Sequence, residues 1–167
     1  GTLDQTPEQI AQYHINHNGW GGIGYHFLID KNGNVYYVGD LSTARAHVAN
    51  MNDKYIGICL LGDFRPEEDV APTEEMKYSL QELCRKLIED YPALTNINDW
   101  KAIKGHKEVP QQSTSCPASV IDFVNKMRDT NGKAPTSGGS SNTLTLEQIL
   151  ALEVPKPNFE NKIKNVD

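Results

Sequence analysis

The sequence lacks the long apolar run that a membrane helix requires, since no stretch approaches roughly 20 consecutive apolar residues. It also lacks a surplus of positive charge, because 16 Lys and Arg residues stand against 22 Asp and Glu residues and give a net charge of -6. Binding to nucleic-acid phosphates depends on such a surplus. Composition therefore disfavours both membrane insertion and a nucleic-acid partner. The opening residues also show no basic segment followed by an apolar one, the pattern of a secretory signal peptide.

Cysteine is scarce as well. The chain has three, Cys59, Cys84 and Cys116, and an odd number at wide spacing is not typical of a disulfide framework. Cys59 falls in an apolar run and Cys84 in a helical apolar stripe, so both are predicted to be buried thiols. Cys116 stands just before Pro117, at the start of a predicted helix, a position that favours the thiolate form.

Apolar periodicity, capping signals and turn signals predict both helices and strands. In chain order the predicted elements are a helix from Pro7 to about Asn18, strands at 25–29 and 35–38 joined by an Asn32-Gly33 turn, a central buried strand at 55–61, a long helix over 76–91, a short strand at 102–105 and a last helix opening at Pro117. The pattern predicts an α/β domain with a central mixed β-sheet flanked by α-helices.

The composition changes after about residue 128. Residues 1–128 are predicted to form the compact domain, and residues 129–143 a flexible linker rich in Gly, Ser and Asn. Residues 144–167 are predicted to hold a short helix, begun by a capping box of Thr145 and Gln148, followed by a polar tail of unknown role.

His106 and Cys116 form the sharpest chemical pair. A loop separates the histidine, at the end of a predicted strand, from the cysteine at a helix start. An imidazole and a thiolate together suit zinc, but a catalytic zinc needs about three protein ligands and only two are evident. Two other interpretations stay open: an unrelated histidine beside a buried cysteine, or a cysteine peptidase with Cys116 as nucleophile and His106 as base.

Further side chains are candidates on weaker grounds. Tyr25, at a strand start, has a hydroxyl that can hold a water or polarise a carbonyl, although packing is the commoner role. His47 is a candidate for lining a cleft or for a purely structural role. Trp20, in a Gly-rich stretch, is either a sugar-stacking surface or a plug of the core, and the plug is favoured. The histidines His14, His17 and His26 are assigned to packing.

Several segments occur in one order along the chain, and together they are far more specific than any one of them. They are Trp20, Gly22 to Ile29, Ala46-His47, Asn52, Ile56 to Ile58, Gly62 to Phe64, Gly105-His106 and Thr114 to Pro117. Over about residues 3–128 they resemble the type 2 N-acetylmuramoyl-L-alanine amidase family, which includes phage T7-type lysozymes and peptidoglycan recognition proteins. The tail is not covered by this resemblance.

The resemblance implies a zinc-dependent hydrolase that cuts the amide bond between N-acetylmuramic acid and L-alanine in bacterial peptidoglycan. His106 and Cys116 match two zinc ligands of the family, Tyr25 its catalytic tyrosine and Thr114 a residue that steadies the oxyanion. His47 and Trp20 are the candidate substrate-binding residues. Zinc would make its water more acidic and polarise the carbonyl. Such an enzyme acts on the bacterial cell wall, as a secreted autolysin or as a phage endolysin.

Two departures from the family are visible. The family's first zinc ligand lies on a strand that precedes the opening helix, and no histidine stands in residues 1–6. The strand could be absent from a fragment, could be supplied by another chain or by the tail at 159–167, or the zinc site could be degenerate; strand exchange would make a dimer. The loop from His106 to Cys116 is also slightly longer than in the family. A non-catalytic peptidoglycan-binding module is therefore the alternative function.

Overall fold

The computed structural model describes residues 3–90 and 99–137. The helices are α1 (Pro7–Gln12), which continues as one π-helical stretch over Tyr13–His17, α2 (Glu74–Asp90) and α3 (Ile121–Asp129). The strands are β1 (Phe27–Ile29), β2 (Val35–Tyr37) and β3 (Ile58–Leu60). Short 3-10 turns lie at Pro66–Glu68, Trp100–Ala102, His106–Glu108 and Ala118–Val120.

The three strands form one mixed sheet in the order β2-β1-β3. β1 is antiparallel to β2, with Phe27 opposite Tyr37, and parallel to β3, with Phe27 opposite Ile58. The turn between β1 and β2 contains Gly33 at φ +79°, a conformation that glycine adopts without strain. The Asp30 carboxylate accepts the backbone N–H of Asn32 and supports the turn. The predicted mixed sheet and its Asn-Gly hairpin are both confirmed.

Side chains alternate between the two faces of β1, and each face has its own core. Phe27 and Ile29 pack with the buried faces of α2 and α3, while Leu28 packs with Ala11 of α1 and Ile23 on the other side. The sheet is thus covered by helices on both faces, as the sequence predicts. The α2–α3 side is the larger core, because it also receives side chains from the loops that follow β3.

Two strand predictions need correction. The segment 102–105 is not a strand; Asp99 caps a 3-10 turn at Trp100–Ala102 instead, through its carboxylate and the Lys101 N–H. β3, predicted as a central strand, lies at an edge of the sheet within the described residues, and all three of its residues are only partly buried. A strand needs a paired neighbour for its backbone groups. Within the described residues, 102–105 is in no sheet and β3 is paired on one side only, with β1.

The residues after α3 do not leave the domain at once. The Gln81 amide accepts the N–H of Ala134 and donates to its carbonyl, so residues 130–134 are held against α2. The predicted linker therefore begins with a docked segment. Its later part, the predicted helix of 146–152 and the polar tail lie outside the described residues. In the parts of the chain that the structure describes, no helix is long and apolar enough to cross a membrane.

Candidate functional site

A cleft of about 1430 Å³ opens where β1 and β3 begin, and it extends along the loop that follows residue 102. The sequence places a polar side chain at each of these points. The predicted site residues that line the cleft are Tyr25, His47, His106, Thr114 and Cys116. Five of the six predicted residues, far apart in the chain, therefore share one cavity, and Trp20 does not belong to its lining.

Tyr25 stands just before β1, and its hydroxyl is hydrogen-bonded to the thiol of Cys59 on β3. Burial raises the pKa of the Tyr25 phenol far above its ordinary value, and the nearby Cys59 and Cys116 sulfurs raise it further. The phenol consequently stays protonated at neutral pH. It can donate a hydrogen bond to developing negative charge, but it cannot act as a base.

Cys116 is held by short local contacts. Its carbonyl accepts the backbone N–H of Lys107 at 2.8 Å, which joins the two segments that carry His106 and Cys116. Its own N–H donates to the Thr114 hydroxyl at 3.1 Å. A side chain at Gly105 would meet the Pro117 ring at 2.7 Å, so a glycine is needed for this close approach. The backbone hydrogen bond from Lys107 to Cys116 therefore fixes the distance between the segments that carry His106 and Cys116.

The sequence predicts that a helix start favours the thiolate form of Cys116, and the pKa of the thiol is instead raised. The residue as a whole is exposed, but protein surrounds its sulfur closely enough that burial raises the pKa of the thiol. The helix that follows begins as a short 3-10 turn at Ala118–Val120, which offers little of the dipole of a long helix. A neutral thiol is a poor nucleophile, which argues against the cysteine-peptidase interpretation.

The orientation of His106 depends on Gln112. Both groups of the Gln112 amide are engaged by Ala49: its Oε1 accepts the Ala49 N–H at 3.2 Å, and its Nε2 donates to the Ala49 carbonyl at 2.9 Å. Oε1 is therefore an acceptor, and the His106 Nε2 that lies 3.1 Å from it must carry the proton. This tautomer leaves a lone pair on Nδ1, the form of imidazole that binds a metal.

His47 is fixed as a neutral ring. Its Nδ1 lies 2.8 Å from the Arg45 carbonyl and donates to it, while Asn52 accepts the backbone N–H of His47. Burial lowers the pKa of His47, and the nearby His106 lowers it further. The buried Nε2 has no hydrogen-bond partner among the described residues. This nitrogen is covered by protein, so the ring as placed does not present it to the cleft.

The remaining histidines and Trp20 are mostly structural. His14 and His26 are buried, and their Nδ1 atoms accept the backbone N–H groups of Gly24 and Gly57. His17 is exposed, so its assignment to packing is wrong; its ring stacks on Tyr13. Trp20 is half-buried and its ring lies 4.7 Å from that of His14, beneath the Gly-rich loop. Trp20 lies outside the cleft lining and outside both core clusters of the described residues.

The side chains of the cleft offer part of a zinc-binding donor set. An imidazole nitrogen and a thiol at one cleft are the right chemistry for zinc. Within residues 3–90 and 99–137, however, no group of three or more His, Cys, Asp or Glu side chains is placed to hold a metal ion. The structure thus brings two of the usual three protein ligands to the cleft, and the described residues alone do not complete the site.

Sequence reasoning missed Cys59, a residue of the cleft, and Gln112, which orients a cleft residue. Cys59 was assigned only to packing, yet its thiol contacts the Tyr25 hydroxyl, and burial raises the pKa of that thiol to about 12. Gln112 lies in a loop that matches no motif. Its role depends on a contact with Ala49, which is far away in the sequence, and on a contact with His106. Only alternation along β3, which puts Cys59 on the same face as Leu28, was available as a signal.

Comparison with known families gives a match over most of this fold. A family model described as N-acetylmuramoyl-L-alanine amidase matches residues 2–119. The matched span contains all of the predicted site residues and all of the strands.

Individual proteins agree with the family match. The chain is 32% identical over 114 residues to peptidoglycan-recognition protein SC2 of Drosophila melanogaster, covering 68% of this chain and 57% of that protein. It is 30% identical over 112 residues to the endolysin of Escherichia phage T7, covering 66% of this chain and 68% of that one. The chain thus spans a little over half the length of the first of these relatives.

A solved structure supports the same relationship. The endolysin amidase LysCS from Clostridium intestinale superposes with a TM-score of 0.60 at 32% sequence identity, covering 74% of this chain and 75% of that one. That protein is an N-acetylmuramoyl-L-alanine amidase. Sequence and fold therefore point to one family.

Proposed function

The chain belongs to the N-acetylmuramoyl-L-alanine amidase family, and on that premise we propose that it hydrolyses the amide bond between N-acetylmuramic acid and L-alanine in peptidoglycan. Its relatives include an endolysin and a peptidoglycan-recognition protein, so both cutting and binding of cell-wall material occur among similar proteins. The proposed place of action is the bacterial cell wall.

The observation that carries the proposal is that Tyr25, whose hydroxyl stays protonated, lines one cleft together with Cys116, His106 and His47. Amide hydrolysis needs a donor for the developing oxyanion and an acceptor for an N–H or water proton. Tyr25 is the donor in this proposal, assisted by the Thr114 hydroxyl, and His47 lines the cleft beside them.

Zinc is part of the proposal. His106, through its free Nδ1, and Cys116 would hold the ion, which supplies Lewis-acid polarisation of a carbonyl when bound. Gln112 keeps His106 in the tautomer that this ligation requires. Tyr25 would contribute independently, by donating a hydrogen bond from its hydroxyl to the oxygen on which negative charge develops.

The test is an assay of the whole chain on purified peptidoglycan, with new N-terminal L-alanine as the product. We expect its appearance with the unaltered protein and a loss of at least about 100-fold with Cys116→Ser, the change at the proposed metal ligand. Cys84→Ser is the matched control, because Cys84 is buried in the core. Absence of the new terminus with well-folded, zinc-supplied protein would overturn the proposed hydrolysis.

The alternative function is binding without cutting. It is favoured by one observation, that fewer than three metal donors are grouped within the described residues. Co-sedimentation with peptidoglycan, together with no new L-alanine terminus after long incubation, would establish a binding module. Release of a new N-terminal L-alanine would instead establish that the chain is an amidase.

A further inference from the structure

One side of α1 carries exposed side chains beside the cleft. Gln9, Tyr13 and His17 recur at every fourth residue, so they follow one another along one side of the helix and its π-helical continuation. All three are exposed, and Gln9 and Tyr13 also line the cleft. This side of the helix therefore belongs to the wall of the cleft and continues beyond it.

Tyr13 is exposed in a way that packing does not explain. It leaves 55% of its surface accessible, and no other large apolar side chain among the described residues is exposed. The next residue, His14, is buried and accepts the Gly24 N–H at 3.0 Å, which fixes this turn of the helix against the fold. The contacts of His14 thus hold the backbone in place, while the Tyr13 ring is left at the surface of the cleft.

The Tyr13 ring is backed by a second ring. The centroids of Tyr13 and His17 lie 4.8 Å apart at an interplanar angle of 21°. The Asn18 N–H donates to the Tyr13 carbonyl at 3.2 Å, the hydrogen bond of a π-helical turn, and such turns are frequent at functional sites. Because His17 covers one face of the ring while more than half of Tyr13 stays accessible, the opposite face is open. We call these two stacked rings the Tyr13 platform.

The Tyr13 platform lies close to the proposed oxyanion donor. The centroid of the His14 ring is 6.2 Å from that of Tyr13 and 5.7 Å from that of Tyr25. In the proposed reaction Tyr25 acts on an amide that the lactyl group of N-acetylmuramic acid joins directly to a sugar. A substrate whose amide reaches Tyr25 therefore brings its glycan strand near Tyr13.

We propose that the Tyr13 platform is a glycan subsite, in which the open face of Tyr13 stacks on a pyranose ring of the peptidoglycan strand; this inference rests on the proposed substrate. The C–H groups on one face of a pyranose are apolar and weakly positive, and they fit the negative face of an aromatic ring. Gln9 supplies the polar contact. Its Oε1 accepts the Thr6 N–H at 3.0 Å, which orients the amide and leaves the Nε2 protons for a sugar oxygen.

The subsite replaces the sugar-stacking role that the sequence offered to Trp20. Trp20 does not line the cleft, and its ring lies 4.7 Å from that of His14 instead. Tyr13 does line the cleft and has an open face. The glycan strand should therefore contribute affinity of its own, separate from that of the stem peptide.

Binding of peptide-free glycan tests the inference in the full-length protein. The probe is soluble peptidoglycan glycan strands from which the stem peptides have been removed. We expect the unaltered protein to bind them with a shift of the Tyr13 ring-proton resonances, and Tyr13→Ala to bind them at least about 10-fold more weakly. Tyr13→Phe keeps the ring and should retain the binding. Gln12→Ala is the matched control, at an exposed position of α1 outside the cleft lining.

The probe has no bond between lactyl group and L-alanine, so its binding does not depend on amidase activity. Failure of the unaltered protein to bind it, Tyr13 resonances that do not move, or equal affinity of Tyr13→Ala would each overturn the glycan subsite. Alanine is a strong helix former, so Tyr13→Ala should fold, and its unfolding midpoint checks this. Bound glycan without release of N-terminal L-alanine from whole peptidoglycan would overturn the proposed hydrolysis and leave the subsite standing.

Discussion

Tyr25 has the most definite chemical assignment among single residues, because burial and two neighbouring sulfurs keep its phenol protonated. Tyr25→Phe removes the proposed oxyanion donor and should lower kcat by about 100- to 1000-fold with little change in KM. Tyr36→Phe is the matched control, since the Tyr36 hydroxyl bonds Asp30 and Tyr36 does not line the cleft. Equal rates for the two variants would contradict the assignment.

The raised pKa of Tyr25 also gives a pH prediction. A tyrosine at its ordinary pKa of about 10 would be half ionised at pH 10 and would lose its donor there. Because the pKa of Tyr25 is raised, the proton stays in place above that pH. We therefore expect the rate of the unaltered enzyme to stay level near about pH 10, at conditions where the protein is folded. A fall in this pH range that the Tyr25→Phe variant does not show would contradict the raised pKa.

Gln112 is the second residue-scale prediction. Gln112→Ala frees the His106 ring from its fixed tautomer and should weaken zinc binding by about 10- to 100-fold, as loss of a ligand's orienting partner does. Nitrogen chemical shifts of the His106 ring report the tautomer directly. Gln111→Ala, at the exposed neighbouring position, should change neither quantity. An unchanged proton on Nε2 in Gln112→Ala would show that Gln112 does not set the tautomer.

At the scale of elements, an ion pair joins the loop of His106 to α3. Glu108 accepts from Arg128 at 2.8 Å and from the Gly105 N–H at 2.7 Å. The Arg128 hydrogen bond is the main cause of the lowered pKa of Glu108. A carboxylate whose pKa is lowered on folding stabilises the protein above its ordinary pKa of about 4.5, and this stabilisation is lost as the pH falls through the lowered value.

Glu108→Gln should consequently lower the free energy of unfolding by roughly 1 kcal/mol at pH 7, because the pair is partly exposed. The difference from the unaltered protein should shrink toward zero below the lowered pKa, as measured by urea unfolding at several pH values. In the Arg128→Met background the substitution should have a smaller effect. A difference that does not vary with pH would contradict the linkage.

The turn after α3 makes a second element-scale prediction. Gly132 has φ +75°, and a side chain there would lie 2.0 Å from the Trp100 ring. Gly132→Ala should therefore destabilise the protein by at least about 2 kcal/mol, through strain and displacement of Trp100. Gly21→Ala is the control, since nothing lies within 4 Å of its added carbon. Similar unfolding midpoints for both variants would refute the packing argument.

At the scale of the whole molecule, we predict that the cleft binds one zinc ion. We expect elemental analysis of the dialysed chain to give near one zinc per molecule, and Cys116→Ser to give well below that. Chelation should lower the unfolding temperature of the loaded protein, because a ligand that binds only the folded state stabilises it. No zinc after added metal would favour the binding module.

Sequence patterns predicted the elements best where a local signal fixed them. The capping box of Thr6 and Gln9 is present at the start of α1, and the Asn32-Gly33 turn joins β1 and β2. The predicted strands were longer than those observed, and 102–105 failed as a strand because pairing depends on a neighbour that local sequence does not reveal. The α1 helix also changes to a π-helical stretch at Tyr13–His17, which its periodicity did not indicate.

Capping and apolar periodicity in the sequence were enough to predict the mixed α/β fold, because both are local properties of the chain. The order of its motifs was enough to indicate the family and the candidate residues of the cleft. The tertiary structure alone decided their states. Burial made Tyr25 a hydrogen-bond donor and raised the pKa of the Cys116 thiol, Gln112 fixed the His106 tautomer, and β3 came to lie at an edge of the sheet in the described part of the chain. Each of these depends on groups distant in the chain, since desolvation and strand pairing arise only when the fold brings those groups together.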